Sequence, residues 1–225
     1  MTRGGVPSVD GELHHQEEET MRIHEIMSSP AVTVAPQLPV KDAAAVLDTH
    51  GFTCLPVVTG DGRLVGVVGE KELVADRFPP DPRLPLAERV TRSPGRLVAD
   101  VMDRDVLLAH PQESVADLLT VMRSAETRSL PVVEDDEVVG MVTYRDLVHA
   151  LARDDALVEA DVRRRLNLYG GVGRWMVSVR DGEVTLRDDR DDPVERTTAV
   201  RLAEAVIGVT GCQVVEATSS ATWPG

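Results

Sequence analysis

The chain has 225 residues, of which 38 are acidic against 24 lysines and arginines, giving a net charge of −14 at pH 7 with histidine neutral. That charge repels polyanions, which argues against a nucleic-acid reader and against binding to anionic membranes. Aromatic residues make up 3% and hydrophobic residues 42%, so the core is aliphatic and the rings that stack on single-stranded bases are scarce.

Residues 1–21 are polar and acidic without the apolar run of a signal peptide, and read as a disordered tail. The first structured segment, 22–76, opens with a short strand at Val32 and Val34, ended by Pro36. Val40, Ala43, Ala44 and Leu47 follow at helical spacing, with Gly51 placed to stop the helix. Two β-branched runs, Leu55 to Thr59 and Leu64 to Val68, flank Gly60-Asp61-Gly62 as a hairpin, and Glu70 to Ala75 closes as a helix. Residues 77–95 carry Pro79, Pro80, Pro82, Pro85 and Pro94 and read as a linker, with one helical turn near Leu86 to Val90.

Segment 96–152 repeats the plan: a strand at Val106 to Leu108, a helix face of Val115, Leu118, Leu119 and Met122, a hairpin of Leu130 to Val133 and Val138 to Val142 around Asp135-Asp136, and a helix from Arg145 to Leu151. The correspondence is literal. Met27, Val40, Leu47 and Leu55-Pro56-Val57-Val58 recur 75 residues later as Met102, Val115, Met122 and Leu130-Pro131-Val132-Val133, and Gly66 and Leu73 recur 74 later as Gly140 and Leu147. Solenoid repeats run roughly 20–50 residues. The longer period marks a duplicated unit of about 55 residues, too small to bury a good core alone, so the copies are expected to pack face to face with clefts between them.

The last segment, 154–218, begins with a helical stripe of Val158, Val162, Leu166 and Tyr169. Trp175, Val177 and Val179 alternate with polar residues up to Asp181-Gly182, after which Val184 and Leu186 alternate again; this is the strongest short-range hairpin signal in the chain. Asp192-Pro193-Val194-Glu195 supplies a cap, a proline at the first helical position and an early acid. Ala199, Val200, Ala203, Val206 and Ile207 give that helix its apolar face, Gly208 ends it, Cys212 to Ala217 adds a strand, and 219–225 form a tail. The order is α-β-β-α-β, and the whole chain is α+β.

Strand, helix, Leu-Pro-Val-Val, hairpin and then Gly-x-Val leading into a helix, twice in order and introduced by Ile26-Met27 and Val101-Met102, resembles the cystathionine-β-synthase (CBS) motif, which occurs in pairs known as Bateman modules. The resemblance implies two motifs of β-α-β-β-α order packed as a pair. It also implies an adenosine-containing ligand (AMP, ADP, ATP or S-adenosylmethionine) in a cleft between them, no required cofactor, and a homodimer built through the pairs. The family's ligand signature, Gly, two apolar residues, Ser or Thr, two residues and Asp, is intact in Gly140-Met141-Val142-Thr143-Tyr144-Arg145-Asp146. Thr143 stands at a strand-to-helix junction, where its hydroxyl and free backbone N–H groups could take a phosphate oxygen. Asp146 could accept from both ribose hydroxyls, or be only a helix-start acid. Arg145, Val106, Leu107, Arg128, Ser129, Leu130 and Pro131 complete the implied site. The family's basic residue stands two before the proline, where this chain has Ser129; Arg128 is one step off and could instead pair with Glu126 or Glu134. In the first copy Gly69, Lys71 and Glu72 replace the signature's hydroxyl, variable residue and Asp, so that site reads as degenerate.

Segment 154–218 resembles a BON (bacterial OsmY and nodulation) domain in "VRDGEVTLRD", "ERTTAVRLAEAV" and "GVTGCQVVEA", which implies an output or binding unit with a partner yet to be identified. Arg163-Arg164-Arg165 reads as a solvated helix face balanced by acids. No Gly-rich phosphate loop, metal-spaced cluster or catalytic constellation is present, which points away from an enzyme and from a metal site. Cys54 and Cys212 fit a reducing cytoplasm, and no apolar run is long enough to span a bilayer. Two functions follow: a regulatory protein in which the CBS pair senses an adenosine nucleotide and relays it to the BON-like unit, or a dimeric scaffold whose BON-like unit binds a protein or envelope partner.

Overall fold

The computed structural model describes residues 20–75, 77–78, 83, 95–188, 190 and 192–216. The expected tails apart from Thr20 and Met21, and nearly all of the proline-rich linker with its helical turn, lie outside the described residues. Met21, expected in the tail, packs against the second core, and its carbonyl accepts the Val115 N–H at 3.0 Å. Helix α1 (Ile23–Ile26) leads the first copy, followed by α2 (Val40–His50), β1 (Cys54–Val58), β2 (Leu64–Gly69) and α3 (Glu70–Val74). The second copy runs α4 (Val98–Val101), α5 (Val115–Ser124), β3 (Ser129–Glu134), β4 (Glu137–Thr143) and α6 (Tyr144–Leu151). The C-terminal unit is α7 (Asp155–Gly170), β5 (Trp175–Arg180), β6 (Glu183–Asp188), α8 (Pro193–Glu204) and β7 (Gly211–Glu216).

Local chemistry sets most boundaries. Gly51 adopts the left-handed conformation at φ 64° and returns its N–H to the last carbonyls of α2. Asp135 and Asp136, at φ 49° and 67°, make the tight β3–β4 turn, and Asp181 and Gly182 at 51° and 77° make the β5–β6 turn. The strands expected at Val32–Val34 and Val106–Leu108 shrink to single parallel bridges, Val34 with Val57 and Ala109 with Val132. Two residues beyond each bridge stands Pro36 or Pro111, which has no N–H to donate to the next rung.

The two copies exchange their leading helices. Ile23 of α1 is fully buried in the second core, among Met122, Leu130, Val132 and Val142. Val98 of α4 is fully buried in the first, among Val34, Leu47, Val57 and Val68. Backbone bonds fix the exchange: Ile23 N–H donates to Glu113 O and Val98 N–H to Leu38 O, at 3.0 and 2.9 Å. Ser28 then pairs with Met141 through two bonds, as Asp103 does with Val67. Neither copy has a complete core of its own.

Glycine permits this close approach. A Cβ on Gly66 would lie 2.6 Å from the Asp103 carbonyl oxygen, and one on Gly140 would lie 2.8 Å from Met27 Sδ and 3.0 Å from the Ser28 carbonyl oxygen. Gly66→Ala is therefore expected to destabilise the chain by about 1–3 kcal/mol. Gly140→Ala should cost less, because its nearest neighbour is the end of a flexible side chain. The urea midpoints of the two variants check that ranking.

In the C-terminal unit β5 is antiparallel and β7 parallel to the central β6. Val158, Val162 and Leu166 of α7 are fully buried against Trp175, Val177, Leu186, Ala199 and Leu202. Tyr169, expected on the same stripe, is half exposed, as is Leu119 at the edge of the α5 face. Arg163 pairs with Glu159, Arg164 with Asp161 at 2.8 Å, and Arg165 donates to Ala205 O at 3.2 Å.

Candidate functional site

The junction of β4 and α6 is organised by its own side chains. Thr143 Oγ1 accepts the N–H groups of Arg145 and Asp146, at 3.2 and 3.4 Å, and caps α6. Asp146 Oδ2 accepts from Thr143 N and Thr143 Oγ1, both at 2.7 Å, closing the capping box. The Tyr144 N–H donates to Arg128 O at 3.2 Å. The free backbone donors expected here for a phosphate are thus already occupied, and Thr143 acts by holding Asp146.

Two guanidinium groups, those of Arg128 and Arg145, stand beside this junction. Both line a cleft of about 460 Å³ together with Thr143, Tyr144 and Asp146, a volume within the range of small-ligand sites. Arg145 Nη1 donates to Gly51 O at 3.4 Å, linking α6 to the end of α2. Among the described residues neither Glu126 nor Glu134 pairs with Arg128. The opposite wall comes from the first copy: Ser28, Pro30, Ala31 and Val32, then Phe52, Thr53 and Cys54. Ser28 Oγ donates to Asp146 Oδ1 at 2.8 Å, across the boundary between copies. Burial raises the Cys54 thiol above its ordinary pKa, offset in part by a hydrogen bond with Ser129, its counterpart in the second copy.

The remaining expected residues fall elsewhere. Val106 lines a separate cavity of about 250 Å³ with Arg63, Arg104 and Asp136, and Leu107 is half exposed and lines neither. Leu130 and Pro131 are buried in β3, and Ser129 sits opposite Thr143 in the β3–β4 register. The exchange of leading segments explains this: the segment after α4 turns toward the first copy, so the one after α1 walls the second cleft. Ser28, Pro30 to Val32 and Phe52 to Cys54 were not legible as site residues, because only long-range pairing brings them there.

At the first copy's junction Glu72 Oε2 accepts the Gly69 N–H at 3.1 Å, but Gly69 offers no side chain to cap α3, so only the acid's half of the box remains. Lys71 is exposed on α3. The place of Ser28 is taken by Asp103, through the same bridge. Among the described residues no group of three or more His, Cys, Asp or Glu side chains could hold a metal ion, and no helix is long and apolar enough to cross a membrane.

The CBS domain family model matches residues 23–76 and 98–153. Inosine-5′-monophosphate dehydrogenase of Methanocaldococcus jannaschii is 27% identical over 135 residues, covering 60% of this chain and 24% of that protein. An uncharacterized protein of the same organism is 30% identical over 156 residues, covering 59% of this chain and 92% of its own length. Among solved structures, CBSX2 in complex with AMP is 27% identical with a TM-score of 0.49, covering 58% of this chain and 95% of that one. The chain spans about a quarter or less of the length of the first curated relatives it matches. With two family matches in tandem over the exchanged pair of repeats, and a relative matched over nearly its whole length, the chain belongs to the CBS domain family as a protein carrying a tandem CBS pair.

Proposed function

We propose that this protein is a non-catalytic regulator whose CBS pair binds an adenosine nucleotide in the cleft between its copies and relays occupancy to the C-terminal unit. The observation that carries the reading is the meeting of Asp146, Arg128 and Arg145 in one cleft walled by both copies. A carboxylate suits a ribose, two guanidinium groups suit phosphate oxygens, and Val32, Phe52 and Met141 offer an apolar wall for a base. Two cations favour AMP, ADP or ATP over the cationic sulfonium of S-adenosylmethionine. Thermal unfolding against these four ligands and GTP tests this. A ligand at a hundredfold excess over its Kd adds about 2.7 kcal/mol to the folded state; the absence of a shift with every adenosine ligand, in protein freed of bound nucleotide, overturns the reading.

The relay has a physical route. Helix α6 carries Asp146 at its start, and the C-terminal unit is bolted to its end. Arg153 donates to Ile207 O and to Asp161 Oδ2, both at 2.8 Å. Within the unit, the Asp155 carboxylate at the start of α7 accepts the N–H groups of Asp181 and Gly182 at 2.7 and 3.0 Å and ties the β5–β6 turn to the same junction. A ligand biases this junction only to the extent that it prefers one arrangement. Nucleotide is expected to slow amide exchange at the β5–β6 turn and the end of α8, and Arg153→Ala to remove that remote effect while leaving the cleft protected. Unchanged exchange in the wild-type C-terminal unit overturns the relay. We read that unit as BON-like from its α-β-β-α-β order, and as the carrier of a partner-binding surface.

One observation favours a second reading, a dimeric scaffold. Tyr144, Val148 and Leu151 form an exposed apolar stripe along α6, which suits a homodimer, and the α6 capping box is complete without a ligand. A scaffold would dimerise and bind its partner unchanged by nucleotide.

A further inference from the structure

Asp146 is nearly saturated before any ligand arrives. An ionised carboxylate offers about four acceptor directions on its two oxygens. Oδ2 takes two hydrogens, from Thr143 N and Thr143 Oγ1. Oδ1 takes one from Ser28 Oγ at 2.8 Å. One direction is left, and a ribose diol needs two.

The Thr143 bonds belong to the helix cap and turn with the backbone. Ser28 is different. Its backbone is pinned by the two bonds to Met141 and by the close approach to Gly140, and the neighbouring Ser29 Oγ donates to Val139 O at 2.9 Å. Its hydroxyl is held only by the rotation about Cα–Cβ. The hydroxyl can leave while the chain stays. The first copy supplies the internal contrast: the equivalent bridge with Val67 presents Asp103, an acceptor without a proton to give.

We infer that Ser28 sets the ribose affinity of the cleft: its hydroxyl stands on Asp146 where one of the two ribose hydroxyls must bind, and a diol enters only by displacing it. This rests on the nucleotide reading of the cleft. A ligand with one ribose hydroxyl uses the remaining acceptor direction and leaves Ser28 in place. Ser28 thereby narrows the preference for ribose over deoxyribose that Asp146 alone would give.

The test is calorimetric titration of wild type, Ser28→Ala and Ser28→Thr with AMP and with 2′-deoxy-AMP. Ser28→Ala removes the competing hydrogen bond and is expected to bind AMP about three- to tenfold more tightly, with 2′-deoxy-AMP unchanged. Ser28→Thr keeps the hydroxyl and is expected to match wild type for both. Equal gains for the two ligands, AMP binding by Ser28→Ala that is unchanged or weaker, or a gain in Ser28→Thr would each overturn the inference while leaving the nucleotide site intact. No AMP binding by any of the three proteins would overturn the nucleotide reading and the inference with it.

Discussion

Asp188→Ala is expected to unfold the C-terminal unit well before the rest of the chain, by about 3–5 kcal/mol of that unit's stability. Asp188 is fully buried at the end of β6 and faces Arg174 and Arg196, with N–O separations of 3.4 and 3.8 Å. Its Oδ1 also accepts the Arg190 N–H at 2.9 Å. Arg174 is itself buried, lies over the Trp175 ring at 5.0 Å and contacts Glu195 on α8. Removing Asp188 leaves a desolvated guanidinium with one acid, and a buried cation without its partner is among the costliest defects a fold can carry. Arg174 cannot escape by losing its proton, because a guanidinium stays charged at any working pH.

Both tryptophans, Trp175 and Trp223, lie in the last third of the chain, so tryptophan fluorescence in urea follows this part of the molecule. Circular dichroism follows all of it. A fluorescence transition shifted to lower urea, leaving a second transition in the circular dichroism, is the expected result. Coincident transitions at the wild-type midpoint would mean that the cluster contributes nothing net, as some buried ion pairs do.

Asp146→Ala is expected to abolish the nucleotide-induced rise in unfolding temperature, a loss of the whole ligand contribution of about 2.7 kcal/mol at a hundredfold excess over Kd. The variant also loses the capping box, which by itself lowers stability by about 1 kcal/mol. The quantity to compare is therefore the increment on adding ligand, not the absolute midpoint. Thr143→Ala separates the two roles, since it removes the cap and the support of Asp146 while leaving the carboxylate. It should keep a reduced increment where Asp146→Ala keeps none. A full increment in Asp146→Ala would move the ligand out of this cleft.

Much of the architecture is written in short-range chemistry. The 75-residue recurrence, Gly51 at the end of α2, the Asp135-Asp136 and Asp181-Gly182 turns and the Asp192-Pro193 helix start are each decided by residues within a few positions of one another. For that reason the long helix, the hairpin and the closing helix of each copy, and the order of the C-terminal unit, can be read directly from the chain. So can Thr143 and Asp146 as site residues at the start of α6, though the cap that joins them appears only in the structure. The short leading helices α1 and α4 were not expected, and the expected leading strands reduce to bridges.

The exchange of α1 and α4 between the copies is not written that way. A repeat shows that two units are alike, but not whose leading helix completes whose core, because Ile23 and Leu130 are equally apolar in either arrangement. Backbone pairing between Ser28 and Met141, and between Val67 and Asp103, decides it. That pairing moves the second cleft's wall from Val106 and Leu107 to Ser28, Pro30 and Val32. One trace of this was present in the chain: directly after the matching methionines the repeat breaks, with Ser28 in one copy and Asp103 in the other. The sequence by itself determined the longer helices, the hairpins and the duplication, because these depend on neighbours along the chain. Only the tertiary structure decided which wall faces Asp146 and that Ser28 already occupies it, because residues 118 positions apart meet only when the two incomplete cores close on each other.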